Sequence, residues 1–162
     1  MDKRICLNKS VLDFMESVLT PESWVLEIGG GYSTRWFADR CFQLDTVETD
    51  AKWQKIIWNE MMPSCPCHFS MNSTIEAVQG FGGIDLALID CVEGLREKAA
   101  RVAWDCLWPG GWLVFDDAQR SQHARSITWL VDRSAERFYL RWCPGDIETA
   151  KERLAIAFKK EK

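Results

Sequence analysis

Glu27, Gly29, Gly30 and Gly31 stand together in the stretch VLEIGGGYST, residues 25–34, and their spacing sets the chemistry open to the chain. Three consecutive glycines carry a high cost in chain entropy, so they point to a loop whose backbone must come close to a ligand. Ser33 and Thr34 add hydroxyls directly after the loop. Glu48 follows some twenty residues later, where a carboxylate at a strand end can accept hydrogen bonds from two ribose hydroxyls. A simple solvent-facing strand end is the plainer reading of Glu48. Asn72 and Ser73 either meet an adenine edge or form an Asn/Ser turn. Asp90, Asp116 and Asp117 are the polar residues best placed to orient or deprotonate a nucleophile, with Asp90 and Asp117 as the catalytic candidates. The same three carboxylates offer oxygen ligands for Mg²⁺. Asp116 has a structural alternative as the cap of the following turn. Arg96 and Arg120, with Asp116, are candidates for holding an anionic substrate such as a carboxylate or sugar phosphate. His123 falls on an expected helix and reads as a packed or surface histidine.

Two ligand classes compete for the glycine loop. Dinucleotide sites use G-x-G-x-x-G, with the third glycine admitting close helix–strand packing. Here Gly29 and Gly31 fit that pattern, but Thr34 stands where the third glycine belongs. Glu27 also argues against a pyrophosphate, because two anions would repel. A cationic ligand instead offsets the desolvation of a buried carboxylate. S-adenosylmethionine carries a sulfonium and an ammonium, so the residues favour a nucleoside–amino-acid cofactor.

The elements that must position these residues alternate. Strand-like runs cover WVLEI (24–28), QLDTVET (43–49), CHFSM (67–71), IDLALID (84–90), GWLVFDD (111–117), RFYLRW (137–142) and RLAIAFK (153–159). Helical patterns cover 11–19, 33–40 opened by Ser33, 51–62, about 93–108 and 119–132. Alternation of this kind predicts a parallel sheet covered by helices. Continuous apolar runs such as LALI and WLVF suit strands buried on both faces. LWPGGW (107–112) reads as a helix end, a turn and a new strand, and Pro66 is tolerable only if the third strand lies at a sheet edge.

The chain's 162 residues make one domain, with a helical segment over 1–22 and the core over 23–162. Apolar residues at 47% and charged residues at 27% describe a folding, globular chain. A net charge of −4 disfavours general nucleic-acid binding. The later arginines, Arg120, Arg125, Arg133, Arg137 and Arg141, are solvated faces or a local anion patch. Seven scattered cysteines without a C-x-x-C form neither a disulfide framework nor a usual zinc motif, which fits reduced thiols and a cytoplasmic location. The N-terminus has no signal-peptide h-region, and no apolar run approaches a membrane span.

These motifs together resemble the class I S-adenosylmethionine-dependent methyltransferases. LEIGGGYSTRWFA resembles their first motif, VETDAKW (47–53) their second-strand motif, and IDLALIDC (84–91) and LWPGGWLVFDDAQR (107–120) their fourth- and fifth-strand motifs. The chain is similar to small bacterial methyltransferase-like proteins, down to a closing P-G loop within CPGDIETAKERLAIAF (143–158). The resemblance implies a Rossmann-like α/β fold: seven strands, mostly parallel, order 3-2-1-4-5-7-6, helices on both faces. It implies Glu27, Gly29, Gly30, Gly31, Ser33 and Thr34 at the methionine end of the cofactor, Glu48 at the ribose, Asn72 and Ser73 at the adenine, and Asp90 beside the cofactor. Cys91 stands where the family has glycine, and Arg96 lies later than its family counterpart. The Asp116-Asp117 pair resembles the Asp-Asn pair of catechol-type enzymes, which implies Mg²⁺ as a possible cofactor beside Asp90. The expected activity is methyl transfer to a small-molecule or glycan-related acceptor. Alternatives are methylation of RNA or protein, and a non-catalytic binding or interaction protein. An open site completed by a second subunit would make the chain a homodimer.

Overall fold

The computed structural model describes residues 5–61, 64–143 and 152–162. Helix α1 (Lys9–Val18) leads into β1 (Trp24–Ile28), α2 (Tyr32–Ala38), β2 (Gln43–Val47), α3 (Ala51–Met61) and β3 (His68–Asn72). A short 3₁₀ turn (Ile75–Val78) precedes β4 (Ile84–Ile89), and a second (Glu93–Leu95) opens α4 (Arg96–Cys106). Then come β5 (Leu107–Phe115), a third 3₁₀ turn (Ser121–His123), α5 (Ala124–Val131), β6 (Ser134–Arg141) and β7 (Leu154–Lys160). The seven strands form one sheet of order 3-2-1-4-5-7-6. Strands β1 to β5 pair in parallel, while β7 runs antiparallel to both β5 and β6.

The central strands β1, β2 and β4 are buried on both faces, while the edge strand β6 is largely exposed. One core holds Leu26, Ile28, Ala87, Ile89 and Phe115 against Ala99, Ala103 and Trp104 of α4 and Leu130 of α5. The other holds Val25, Leu44, Leu86 and Leu88 against Val11 and Met15 of α1, Phe37 of α2 and Ile57 of α3. Successive residues of one strand thus feed opposite cores, which is why WVLEI and LALI read as unbroken apolar runs. Val11 and Met15, one turn apart, place the buried stripe of α1 on a single face.

Three local expectations change. Helix α2 begins at Tyr32 with Gly31 at its N-cap, so Ser33 is an interior residue and not the opener. The hydroxyl of Thr34 accepts from the Gly31 N–H at 3.1 Å and serves that end. The segment 107–112 is no turn between helix and strand. Strand β5 already starts at Leu107, which pairs with Ile84, and a bulge brings Trp112 opposite Leu86. Gly110, at φ +88, and Gly111 sit within that bulge. The third change is in α4, whose α-helical turns begin at Arg96 after the 3₁₀ turn. Among the described residues β3 pairs only with β2, so Pro66 lies just ahead of an edge strand. The expected P-G loop, Pro144 and Gly145, lies outside the described residues. No helix among the described residues is long and apolar enough to cross a membrane.

Candidate functional site

The carboxyl ends of β1, β2, β4 and β5 form one rim. Backbone bonds fasten it: Gly29 N–H donates to Val47 at 2.8 Å, Asp90 to Ile28 at 2.9 Å, and Asp116 to Ile89 at 3.0 Å. Gly29 has φ +100, and a Cβ there would meet the Asp90 carbonyl oxygen at 2.2 Å. Only glycine lets the β1 loop pass that close to the end of β4. Gly31 is different: a Cβ there would meet nothing within 4 Å.

Two adjoining cavities open on this rim. The larger, about 270 Å³, is lined by Gly29, Gly30, Glu48, Trp53, Ile75 and Asp90, with Val47, Cys91 and Leu95 among its other walls. The smaller, about 150 Å³, lies between Gly29–Ser33 and the N-terminal residues Ile5–Leu7. Trp53 and Asp90 line both. Glu48 keeps one carboxylate oxygen on the Asp50 N–H at 2.7 Å, and partial burial raises its carboxyl above its ordinary range. Ser73 lines a further cavity of about 180 Å³ that shares Thr49, Ile75 and Leu95 with the larger one. Asn72 ends β3, where its carbonyl accepts from the Glu48 N–H at 2.9 Å, and it lines none of these cavities.

Glu27 departs from expectation. It is 0% exposed and absent from the walls of both cavities. In place of a cationic ligand it meets three hydroxyls: Ser33 donates at 2.5 Å, Thr34 at 2.6 Å and Thr46 at 3.0 Å. Burial pushes its carboxyl up to about 7, which the three hydroxyls only partly counter. Glu27 therefore ties the glycine loop and α2 to β2. Thr34, 1% exposed, shares that role, while Ser33 also borders the smaller cavity.

At the other end of the rim the three aspartates converge, with carboxylate oxygens within 4.8 Å of one another. They meet guanidinium groups. Arg96 donates to Asp90 at 3.0 Å, Arg120 lies 2.7 Å from Asp117, and Arg153 donates to Asp117 at 3.0 Å and also to Asp116. Asp117 holds a left-handed backbone at φ 56, a conformation aspartate tolerates. Burial pushes the Asp116 carboxyl up to about 7, with Asp90 adding to the rise and Arg153 opposing it. Asp90 is likewise raised by burial, against the pull of Arg96 and Arg153.

This network corrects the substrate-side expectations. Arg96 is 4% exposed and spends its donors on the Cys91 carbonyl at 2.7 Å, the Asp116 carbonyl at 2.5 Å and Asp90, so it braces the strand ends and does not reach for substrate. Asp116, 0% exposed, is sealed under Arg153. Arg120 stays at the rim, 43% exposed, held by Glu93 at 2.7 Å as well as Asp117. Mg²⁺ is not supported: each of the three aspartates already faces a guanidinium, with Asp116 Oδ1 the one buried carboxylate oxygen of the cluster left without a hydrogen-bond partner. His123 is buried with its ring edge-on to Phe115 at 5.5 Å, and burial lowers its basicity. Two residues escaped the sequence reading. Trp53, inside VETDAKW, and Arg153, beside the apolar run of β7, join the rim without a role that their sequence setting assigns. A tryptophan one turn into the helix after Glu48 was the available signal for the first. Nothing local marked the second.

No protein-family model matches the chain, and no curated protein matches it. Solved structures do. The N-methyltransferase NodS from Bradyrhizobium japonicum superposes with a TM-score of 0.68 at 20% identity, covering 94% of this chain and 93% of its own. An rRNA methylase from Streptococcus thermophilus gives 0.74 at 13% identity over 93% of both chains. A SAM-dependent O-methyltransferase from Thermotoga maritima gives 0.76 at 12% identity over 99% of this chain and 69% of its own. The chain thus has the Rossmann-like fold of these class I methyltransferases.

Proposed function

We propose that the protein is an S-adenosylmethionine-dependent methyltransferase acting on a small-molecule acceptor. The observation that carries this reading is the pair of adjoining cavities meeting at Asp90, one beside Glu48 and the other on the glycine loop. The donor set fits the cofactor. Glu48 would accept from the ribose hydroxyls, Ile75 and Leu95 would flank the base, and the backbone of Gly29–Gly31 would face the amino-acid end. When bound, the cofactor supplies a methyl group activated by a sulfonium. NodS has also been solved with S-adenosyl-L-homocysteine, the corresponding product.

The chain's own work is alignment. Gly29 sets the loop hard against β4, and Glu27 locks the loop from beneath, so the cleft is shaped before any ligand arrives. Asp90, 28% exposed and shared by both cavities, is the one aspartate of the three that faces the cleft. Arg96 fixes its orientation. Its raised carboxyl suits a group that takes a proton from an acceptor hydroxyl or amine. Asp117 then supports Asp90 through Arg96, which lies near both, and is not itself the base.

The test is incubation of the full chain with methyl-labelled S-adenosylmethionine and a whole-cell extract, separated afterwards into small-molecule, RNA and protein fractions. Label is expected in small molecules, and Asp90→Asn should cut the rate by about 10²-fold or more. Label appearing only in RNA or protein would move the acceptor to a macromolecule. No label anywhere, with S-adenosylhomocysteine still bound, would make the chain a non-catalytic binder.

A further inference from the structure

Three carboxylates whose oxygens lie within 4.8 Å at two adjacent strand ends would ordinarily call for a divalent ion. Here every member already faces a guanidinium. Arg153 is the centre of that arrangement. It reaches from the residue just before the antiparallel strand β7 and bridges Asp116 and Asp117, which no other cation among the described residues does. It also ties down a third element. Its guanidinium donates to the Cys6 carbonyl, and its own carbonyl accepts from the Asn8 side chain at 3.1 Å. Ile5–Leu7, the segment so held, is the outer wall of the smaller cavity.

We propose that Arg153 is a resident cation in place of a metal: its guanidinium fills the Asp116–Asp117 position, closes the carboxylate cluster to divalent ions, and holds the N-terminal wall over the cleft. A guanidinium can do this where Mg²⁺ cannot, because its planar fork offers several donors at once and reaches both carboxylates and a carbonyl. Arg153 is a positioning residue on this account. That the cluster serves methyl transfer rests on the function proposed above, whereas its closure to metal does not.

The experiment is Mn²⁺ titration of the full chain followed by electron paramagnetic resonance, with no acceptor or cofactor present. The wild-type protein should leave the free Mn²⁺ signal intact up to about 1 mM, weaker than a built carboxylate site would bind. Arg153→Met should take up Mn²⁺ at least about tenfold more tightly, and adding Asp117→Asn should abolish that uptake. Arg153→Lys, which keeps a cation, should stay blind to Mn²⁺. Wild-type uptake that Asp117→Asn removes would overturn the proposal, as would a folded Arg153→Met that takes up none. If Arg153→Met does not fold, the wild-type comparison decides alone: no uptake, or uptake untouched by Asp117→Asn, supports the closed cluster. Failure here would show in the Mn²⁺ titrations, as wild-type uptake or as none by Arg153→Met, whereas failure of the methyltransferase reading would show as absent S-adenosylhomocysteine binding.

Discussion

The two ends of the rim bury carboxylates by opposite means. At β1, Glu27 sits under three neutral hydroxyls and carries no counter-charge. At β4 and β5, Asp90, Asp116 and Asp117 share three guanidiniums. The first arrangement is cheap in charge and tolerates a proton, so it can lie beneath a loop that must keep its shape around a ligand. The second is a network in which each partner's removal leaves another charge uncompensated. The lesson is that equal burial does not mean equal fragility. Removing Glu27 strands no partner charge, whereas removing an aspartate or its arginine does; Glu27 and Asp116, both pushed up to about 7, should each answer to pH.

The largest expected effect is therefore at Arg96. Replacing it by Met strips donors from Asp90, from the buried Asp116 carbonyl and from the half-buried Cys91 carbonyl, and should cost about 3–5 kcal/mol in denaturant unfolding. Arg120→Met, in the same network but 43% exposed, should cost no more than about 1 kcal/mol. Equal costs for the two would show that the network is not held together by its buried member.

A smaller effect separates Glu27. Its folded carboxyl lies near 7, above its ordinary 4.5, so the folded state holds its proton more tightly than the unfolded chain does. That stabilisation is complete below about pH 4.5 and is lost as pH rises to about 7, after which it is flat. Glu27→Gln cannot ionise and escapes the loss. The stability of Glu27→Gln relative to wild type should therefore climb across that window, by a total on the order of 3 kcal/mol. A difference that does not change with pH would mean that the hydroxyls hold Glu27 ionised and that the two ends of the rim are alike in charge.

Legibility in the sequence follows the range of the interaction. Strand β1 was readable to its ends as WVLEI, because burial on both faces leaves an apolar run and the glycines stop it. Glu48 and Asp90 were placed correctly at strand ends for the same reason. LWPGGW was not readable, because a glycine bulge inside β5 and a turn before it use the same residues. Glu27 pointed correctly to a buried carboxylate but not to its partners, since Thr46 comes from a neighbouring strand. Arg96 and Arg120 have an acid close in sequence, Asp90 six residues and Asp117 three residues back, but Arg120 also meets Glu93 27 residues away, and Arg153 finds its aspartates 36 and 37 residues away. Charge pairing across the sheet leaves no local pattern.

The claim that most depends on this geometry is that the cleft beside Glu48 holds a nucleoside–amino-acid cofactor. Calorimetric titration of S-adenosylhomocysteine into the full chain tests it most directly. The account predicts one site with a dissociation constant on the order of micromolar, weakened about tenfold or more by Glu48→Ala through loss of the ribose hydrogen bonds. No binding by a protein that unfolds cooperatively, or binding indifferent to Glu48, would contradict it.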